Sequence, residues 1–179
     1  MRYKKTFIIF LISIILLNLS LIYATNVNEN NAKYFRIHVV ANSDSIDDQL
    51  LKYTVAKKVN TYIEDITKDA KTKDDSKQII EQNIQNILNI CSKTIKENNS
   101  DYTVKAYIGR LMYDEKQIND IYMSAGIYDS LKIVIGKGQG QNWWSLIYPT
   151  TFNNLTQEEF FAQDIKYSFG IVELIKNIF

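Results

Sequence analysis

An uncharged segment near the N-terminus constrains the fold more than any other feature of the sequence. Thr6–Ile22 contains no charged residue, and Arg2, Lys4 and Lys5 precede it. A basic start followed by an apolar run is typical of a secretory signal, and a run of about 17 residues also reaches the lower length limit of a membrane-spanning helix. A helix packed against the core of a domain of this size would be apolar on one face only, whereas this run is apolar on every face. We therefore predict that residues 1–24 are a signal peptide or a membrane anchor, with cleavage or retention both open.

The rest of the chain must fold around a core without covalent cross-links. Three of the 21 basic residues precede the apolar run, so 18 basic residues remain against 20 acidic ones, which excludes a basic nucleic-acid binder. Cys91 is the only cysteine, so no intrachain disulfide can form. The hydrophobic fraction of 46% is sufficient for one packed core. We predict a polar linker over residues 25–33 and one domain over residues 34–179.

Hydrophobic periodicity predicts the elements of that domain. Alternating apolar residues predict strands, and apolar residues spaced by threes and fours predict helices. The strands are expected at Phe35–Val40, Tyr102–Ile108, Leu131–Ile135 and Asn142–Tyr148, and the helices at 46–66, 76–95 and 157–175. Ser45 and Ser76 are the expected N-caps. The fold class predicted is therefore α+β: a single domain with a small, mostly antiparallel sheet of about four strands packed against two to three helices.

Few residues suggest catalysis or metal binding. His38 is the only histidine and could act as a general base or ligand, although a histidine on an alternating strand is more often packed. Cys91 falls on an apolar helix stripe and is expected in the core. Gly136–Gly140 lacks the spacing of a phosphate loop, and Asn42–Asp48 lacks the glycine and glutamate of a calcium loop. We predict no cofactor and no metal.

Two adjacent tryptophans follow three alternating glycines. Because neighbouring residues on a strand point to opposite faces, at most one of Trp143 and Trp144 can serve a one-sided core. Gly136–Gln141 is expected to be a hairpin connection in which all three glycines lie on the face of Trp144. Such glycines require positive φ or the close approach of another segment. The groove they leave would be filled by the N-terminal block of the domain or offered to a partner.

Two segments resemble the hallmark blocks of the stage II sporulation protein R family. Arg36–Lys52 matches R-x-H-V-x-A-N-S-D-S-x-x-D-Q-x-L-K, and Ala125–Trp144 matches A-G-x-Y-x-x-L-x-I-x-I-G-x-G-x-G-x-N-W-W. The C-terminal YSFGIVEL is similar to the family's closing helix. The family often has Pro where Ser124 stands and Cys where Ser145 stands, with a further Cys after Pro149, so any disulfide that relatives form there is absent here.

The resemblance implies a signalling role without chemistry of its own. Members are exported from the forespore into the space between forespore and mother cell. There they activate a membrane-embedded aspartic-type protease that processes the precursor of sigma factor E. The implied partners are this protease and, through the N-terminal segment, the membrane. The candidate partner-binding residues are His38, Asn42, Ser43, Asp44, Ser45, Asp47, Gln49, Gly138, Gly140, Asn142, Trp143 and Trp144; they could equally hold a tight turn and a hairpin together.

An enzyme is the alternative. His38 with Asp44 and Asp47 could form a small polar constellation in which the histidine acts as a general base. This would make the chain a hydrolase of the intermembrane space or cell wall. The absence of a second histidine or a neighbouring cysteine weakens that interpretation.

Overall fold

The computed structural model describes the backbone of residues 2–118 and 121–149, and the side chains of 6–22, 31–115 and 122–149. The predicted closing helix at 157–175 lies outside the described residues. The helices are α1 (Arg2–Ala32), α2 (Ile46–Thr67), α3 (Lys73–Gln82) and α4 (Ile84–Glu97). The strands are β1 (Phe35–Val40), β2 (Val104–Tyr113), β3 (Lys116–Ile118), β4 (Ile121–Met123), β5 (Gly126–Ile135) and β6 (Asn142–Tyr148).

The chain divides into two compact units. The first contains α1 and residues 111–128, where β3 and β4 pair antiparallel. In this unit Ser124 Oγ donates to Asn31 Oδ1 at 3.0 Å, and the Tyr113 and Tyr128 ring centroids are 6.3 Å apart. The helix α1 continues through most of the segment that was predicted as a linker. Over the described residues, no helix combines the length and the apolar character that crossing a membrane requires.

The second unit, residues 34–110 and 129 onward, contains the predicted α+β fold. Its four-stranded, mostly antiparallel sheet has the order β2-β5-β1-β6. The central strand β1 pairs with β5 in parallel and with β6 antiparallel. The predicted fold class and the predicted strand Asn142–Tyr148 are therefore confirmed.

The predicted hairpin between the last two strands is wrong. Since β1 lies between β5 and β6, the connection Gly136–Gln141 has to pass the C-terminal end of β1 instead of turning back on a neighbouring strand. Gly136 N donates to the carbonyl oxygen of Thr103 at 2.8 Å, and Gly140 N donates to that of Ala41 at 3.1 Å. The crossing therefore places the glycine segment next to the residues that follow β1.

Three helices cover one face of this sheet. Both α2 and α3 pack on β1 and β6, and α4 packs on α2. The core that they enclose includes Phe35, Ile37, Val39, Val55, Val59, Ile63, Ile80, Ile87, Cys91, Ile95, Leu131, Ile133, Trp143 and Ile147. Cys91 lies in this core as predicted, and burial raises the pKa of its thiol to about 12.

The helix predicted from Ser76 to residue 95 is two helices. The first begins at Lys73, so the prediction of Ser76 as its N-cap is wrong: the Thr72 hydroxyl accepts from the Asp75 amide, and the Asp75 carboxylate accepts from the Thr72 amide. This reciprocal pairing satisfies two amides that a helix start leaves open. The predicted helix is interrupted at Asn83, between α3 and α4, and the Asn83 Oδ1 accepts from the Tyr62 hydroxyl at 2.9 Å. The apolar stripe continues across this break, and so the sequence pattern does not show it.

Candidate functional site

Two short segments, far apart in sequence, meet at the end of β1. We call Asn42–Ser45 the NSDS turn and Gly136–Gln141 the glycine loop. Lys137 N donates to Asn42 Oδ1 at 3.0 Å, Gln139 N donates to the Asn42 carbonyl at 3.1 Å, and Gln141 N donates to Asp44 Oδ1 at 2.6 Å. The turn therefore supplies acceptors to every second amide of the loop, and the two sequence blocks form one structure.

The three positions require glycine for different reasons. The expectation that the three glycines lie on one strand face with Trp144 is wrong. Gly136 and Gly138 have φ of +58° and +65°, in the left-handed region that other residues enter at a cost. A Cβ atom on Gly140 would lie 2.2 Å from the carbonyl oxygen of Ser43. Positive φ and close approach, the two predicted reasons for glycine, both occur, and the N-terminal block fills the space at Gly140.

The NSDS turn is held by the first turn of α2. Ser45 is the N-cap, as predicted, and its Oγ accepts from the Asp48 amide at 3.3 Å. The buried Asp48 carboxylate accepts from Asn42 Nδ2 at 2.9 Å and from Ser43 Oγ. Burial alone would raise the pKa of Asp48, but the hydrogen bonds from Ser43, Asn42, Tyr102 and Ser45 outweigh it and hold that pKa below its ordinary value. Asp48 is therefore a fixed anion that ties the turn to the helix.

The candidate residue Gln49 and a second side chain that the candidate set omitted, Lys52, complete this arrangement. Gln49 Nε2 donates to the Ser43 carbonyl at 2.8 Å, and the buried Lys52 donates from Nζ to Gln49 Oε1 at 2.7 Å. Lys52 Nζ also lies 4.1 Å from the centroid of the Tyr53 ring. Lys52 is the last residue of the first family block, Arg36–Lys52, and its place in that block was the sequence signal that could have added it to the candidate set.

Both tryptophans are buried, on opposite faces of β6. Trp143 belongs to the helix-covered core, whereas Trp144 lies opposite His38 on the other face. The Arg36 guanidinium carbon is 4.4 Å from the centroid of the Trp144 ring, a distance typical of a cation–π contact. The prediction that only one of the pair serves the core agrees with this arrangement, and buried Arg36 is part of what the second one packs against.

His38 is buried on the same face, and its Nδ1 lies 3.2 Å from Asn142 Nδ2. Because that amide nitrogen can only donate, the contact is a hydrogen bond when Nδ1 is the unprotonated ring nitrogen. Of the two carboxylates considered as partners of His38, Asp44 accepts a hydrogen bond from the Gln141 amide and Asp47 is exposed. Over the described residues, no group of three or more His, Cys, Asp and Glu side chains is placed to hold a metal ion.

The candidate residues divide by exposure. Those that are buried are His38, Gln49, Trp143 and Trp144. Those that are half-buried are Asn42, Ser43, Gly138 and Gly140. Those that are exposed are Asp44, Ser45, Asp47 and Asn142. The structure brings the two blocks together, but the four buried candidates face the protein's own interior, so a partner would be contacted mainly through the exposed ones.

Comparison with known proteins identifies this pair of blocks. The sequence profile of the family described as Stage II sporulation protein R matches residues 31–157, which include the NSDS turn, the glycine loop and both tryptophans. The chain belongs to the stage II sporulation protein R family. This membership gives the chain a role in sporulation and confirms the resemblance of the two blocks.

A curated relative supports the same assignment. The Stage II sporulation protein R of Bacillus subtilis (strain 168) is 27% identical over 114 residues, which cover 64% of this chain and 51% of that protein. The chain thus spans about half the length of this relative. No solved structure matches the chain.

Proposed function

We propose that this stage II sporulation protein R family member is an exported signalling protein. It activates a membrane-embedded aspartic-type protease and so triggers processing of the sigma-E precursor in the mother cell. The observation that carries the proposal is the family match across residues 31–157, with its two blocks joined at the NSDS turn and glycine loop. The basic N-terminus and the uncharged Thr6–Ile22 that follows it support export across the forespore membrane, followed by release or tethering.

The chemistry of the site favours a ligand over a catalyst. A nucleophilic cysteine needs a depressed pKa, whereas burial raises the pKa of the Cys91 thiol to about 12. His38 is buried with Nδ1 against Asn142, and the Asp48 carboxylate is surrounded by hydrogen-bond donors. The hydrogen bonds to the Asp48 carboxylate hold the NSDS turn in place, and a preordered surface is what a binding protein needs to limit the entropy cost of association.

The test is reconstitution of the signal in cells that do not sporulate. The full chain, the protease and the sigma-E precursor from the same organism are produced together, and the precursor is followed by its change in size. We expect cleavage only when all three are present. The control replaces the catalytic aspartate of the protease, which should abolish cleavage. Cleavage that does not depend on the chain, or no cleavage with all three correctly exported and inserted, would contradict the proposal.

A further inference from the structure

The solvent-facing side of the start of α2 carries an apolar pair that the core does not use. Ile46 is 37% exposed and Leu50 is 47% exposed, and they lie one helical turn apart on the same face. They are the only large hydrophobic side chains this exposed on α2, α3 and α4 over the described residues. The outward face of a helix is normally polar, so an adjacent apolar pair there is a feature to be explained.

The exposed charged residues next to this pair in sequence are acidic. Asp44 and Asp47 are both exposed, and Asp47 makes no ion pair with any described residue. The nearest lysine on the helix, Lys52, is buried, and the first exposed one is Lys57, about two turns beyond Leu50. The only exposed lysine of the neighbouring glycine loop is Lys137.

We propose that Asp44, Ile46, Asp47 and Leu50, here called the α2 tip, are the docking surface for the protease. The inference rests on the proposed function and adds to it the chemistry of the contact. The partner segment that fits carries apolar side chains to cover Ile46 and Leu50, with Lys or Arg beside them to meet the two carboxylates. Apolar centres with charged rims are the usual anatomy of a protein interface.

Charge complementarity selects this occupant over two others. A second copy of the chain docking by the same surface would place the acids of one α2 tip against those of the other, because a two-fold interface uses the same patch on both sides. An anionic membrane surface would repel the same carboxylates. A basic and apolar protein segment satisfies both parts of the surface.

The α2 tip is also held in place before it binds. Asp44 accepts from the Gln141 amide at 2.6 Å, and Gln49 Nε2 donates to the Ser43 carbonyl at 2.8 Å. The capped and anchored helix start therefore presents its exposed side chains on a fixed backbone. The buried family residues shape the surface in this account, and the exposed ones contact the partner.

The test compares variants of the full chain for capture on the immobilised, detergent-solubilised protease and for precursor processing in cells. The first variant, Ile46→Gln with Leu50→Gln, removes the apolar pair while keeping good helix formers. The second, Asp47→Lys, reverses one charge. Thr61→Gln is the matched control, since Thr61 is exposed three turns along the same helix face.

We expect the double variant to weaken capture at least about tenfold and to reduce processing in parallel, with Thr61→Gln unchanged. Asp47→Lys should slow association and flatten its dependence on salt. All variants should keep the wild-type melting temperature within a few degrees. If the double variant does not fold, the salt dependence of association by Asp47→Lys tests the docking surface: a flatter dependence supports it, and an unchanged dependence contradicts it.

Two results separate this inference from the proposed function. Wild-type capture and processing by the double variant would overturn the docking surface and leave the activator role intact. Failure of the wild-type chain to trigger processing would overturn both. A change in the sedimentation of the double variant alone, or in its binding to vesicles of phosphatidylglycerol and phosphatidylcholine, would assign the α2 tip to a second copy or to lipid, against the proposal.

Discussion

A methyl group at Gly140 tests whether the glycine loop and the NSDS turn are one unit. The Cβ of Gly140→Ala would lie 2.2 Å from the Ser43 carbonyl oxygen, 2.5 Å from the Ser43 carbonyl carbon and 3.0 Å from the Ala41 Cβ. Relief to a normal separation needs a backbone shift of about 1 Å. Neither neighbouring atom of Ser43 is the movable end of a side chain, so the two segments must separate.

The cost follows from the contacts that this separation strains. Overpacking costs about 1–3 kcal/mol, and loss of the Gln141 amide bond to the Asp44 carboxylate costs roughly 1.5–3 kcal/mol. We expect the free energy of unfolding to fall by about 3 kcal/mol. At roughly 2–4 °C per kcal/mol for a domain of this size, the melting temperature should fall by about 6–12 °C.

Intrinsic fluorescence during heating is the assay, because the chain's 2 tryptophans are both buried in this sheet. The matched control is Gly109→Ala, where a Cβ would meet no atom within 4 Å and φ is not left-handed. That variant should be neutral or stabilised by up to about 1 kcal/mol, since alanine restricts the unfolded chain. A Gly140→Ala protein that melts within 2 °C of wild type, or an equal loss in Gly109→Ala, would refute the reasoning.

Three further predictions concern other groups of the same unit. Gly138→Val should abolish activation and lower the melting temperature together, because φ of +65° disfavours valine and the new Cβ would lie 2.4 Å from Val134 Cγ1; an active variant would show that the loop tolerates distortion. The lowered pKa of Asp48 means that its stabilisation is present above pH ~4 and is lost as the pH falls through the folded-state pKa. Denaturant titrations should accordingly show Asp48→Asn less stable at pH 7 and less sensitive to acid below pH ~4 than wild type, and equal acid sensitivity would contradict this. Cys91, whose buried thiol has a pKa of about 12, should react with a thiol reagent at pH 8 only on unfolding, so labelling of the native chain within minutes would be inconsistent with its place in the core.

Local sequence signals were sufficient for the elements that they determine directly. Alternation placed β1 and β6 correctly, and Ser45 with acidic residues after it fixed the start of α2. These features depend on neighbouring residues, because strand faces and helix caps are set within a few positions. The two short strands β3 and β4 escaped detection, since three residues each are too few to show a period.

Long-range pairing was the part that the sequence did not determine. A strand, a glycine-rich connection and another strand fit a hairpin, and nothing local reveals that β1 is inserted between them. The same limit applies to the candidate site. The blocks were correctly expected to meet, but whether His38 or Trp144 faces solvent depends on what covers the second face of the sheet, and both are buried.

The insertion of β1 between β5 and β6 has a consequence for the order in which the chain can fold. His38 and Asn142, which contact each other, are 104 positions apart in sequence, and β1 is the first strand of the unit to emerge during synthesis or export. The central strand β1 can therefore pair only after β5 and β6 have been made, and contacts between residues so far apart in sequence make folding slow. Until the C-terminal half arrives, β1 exposes two unpaired edges and the residues of the NSDS turn have no loop to bind. The surface that these two blocks build together can exist only on a chain that extends past residue 142, so under the proposed function a chain that is exported only in part would give no signal.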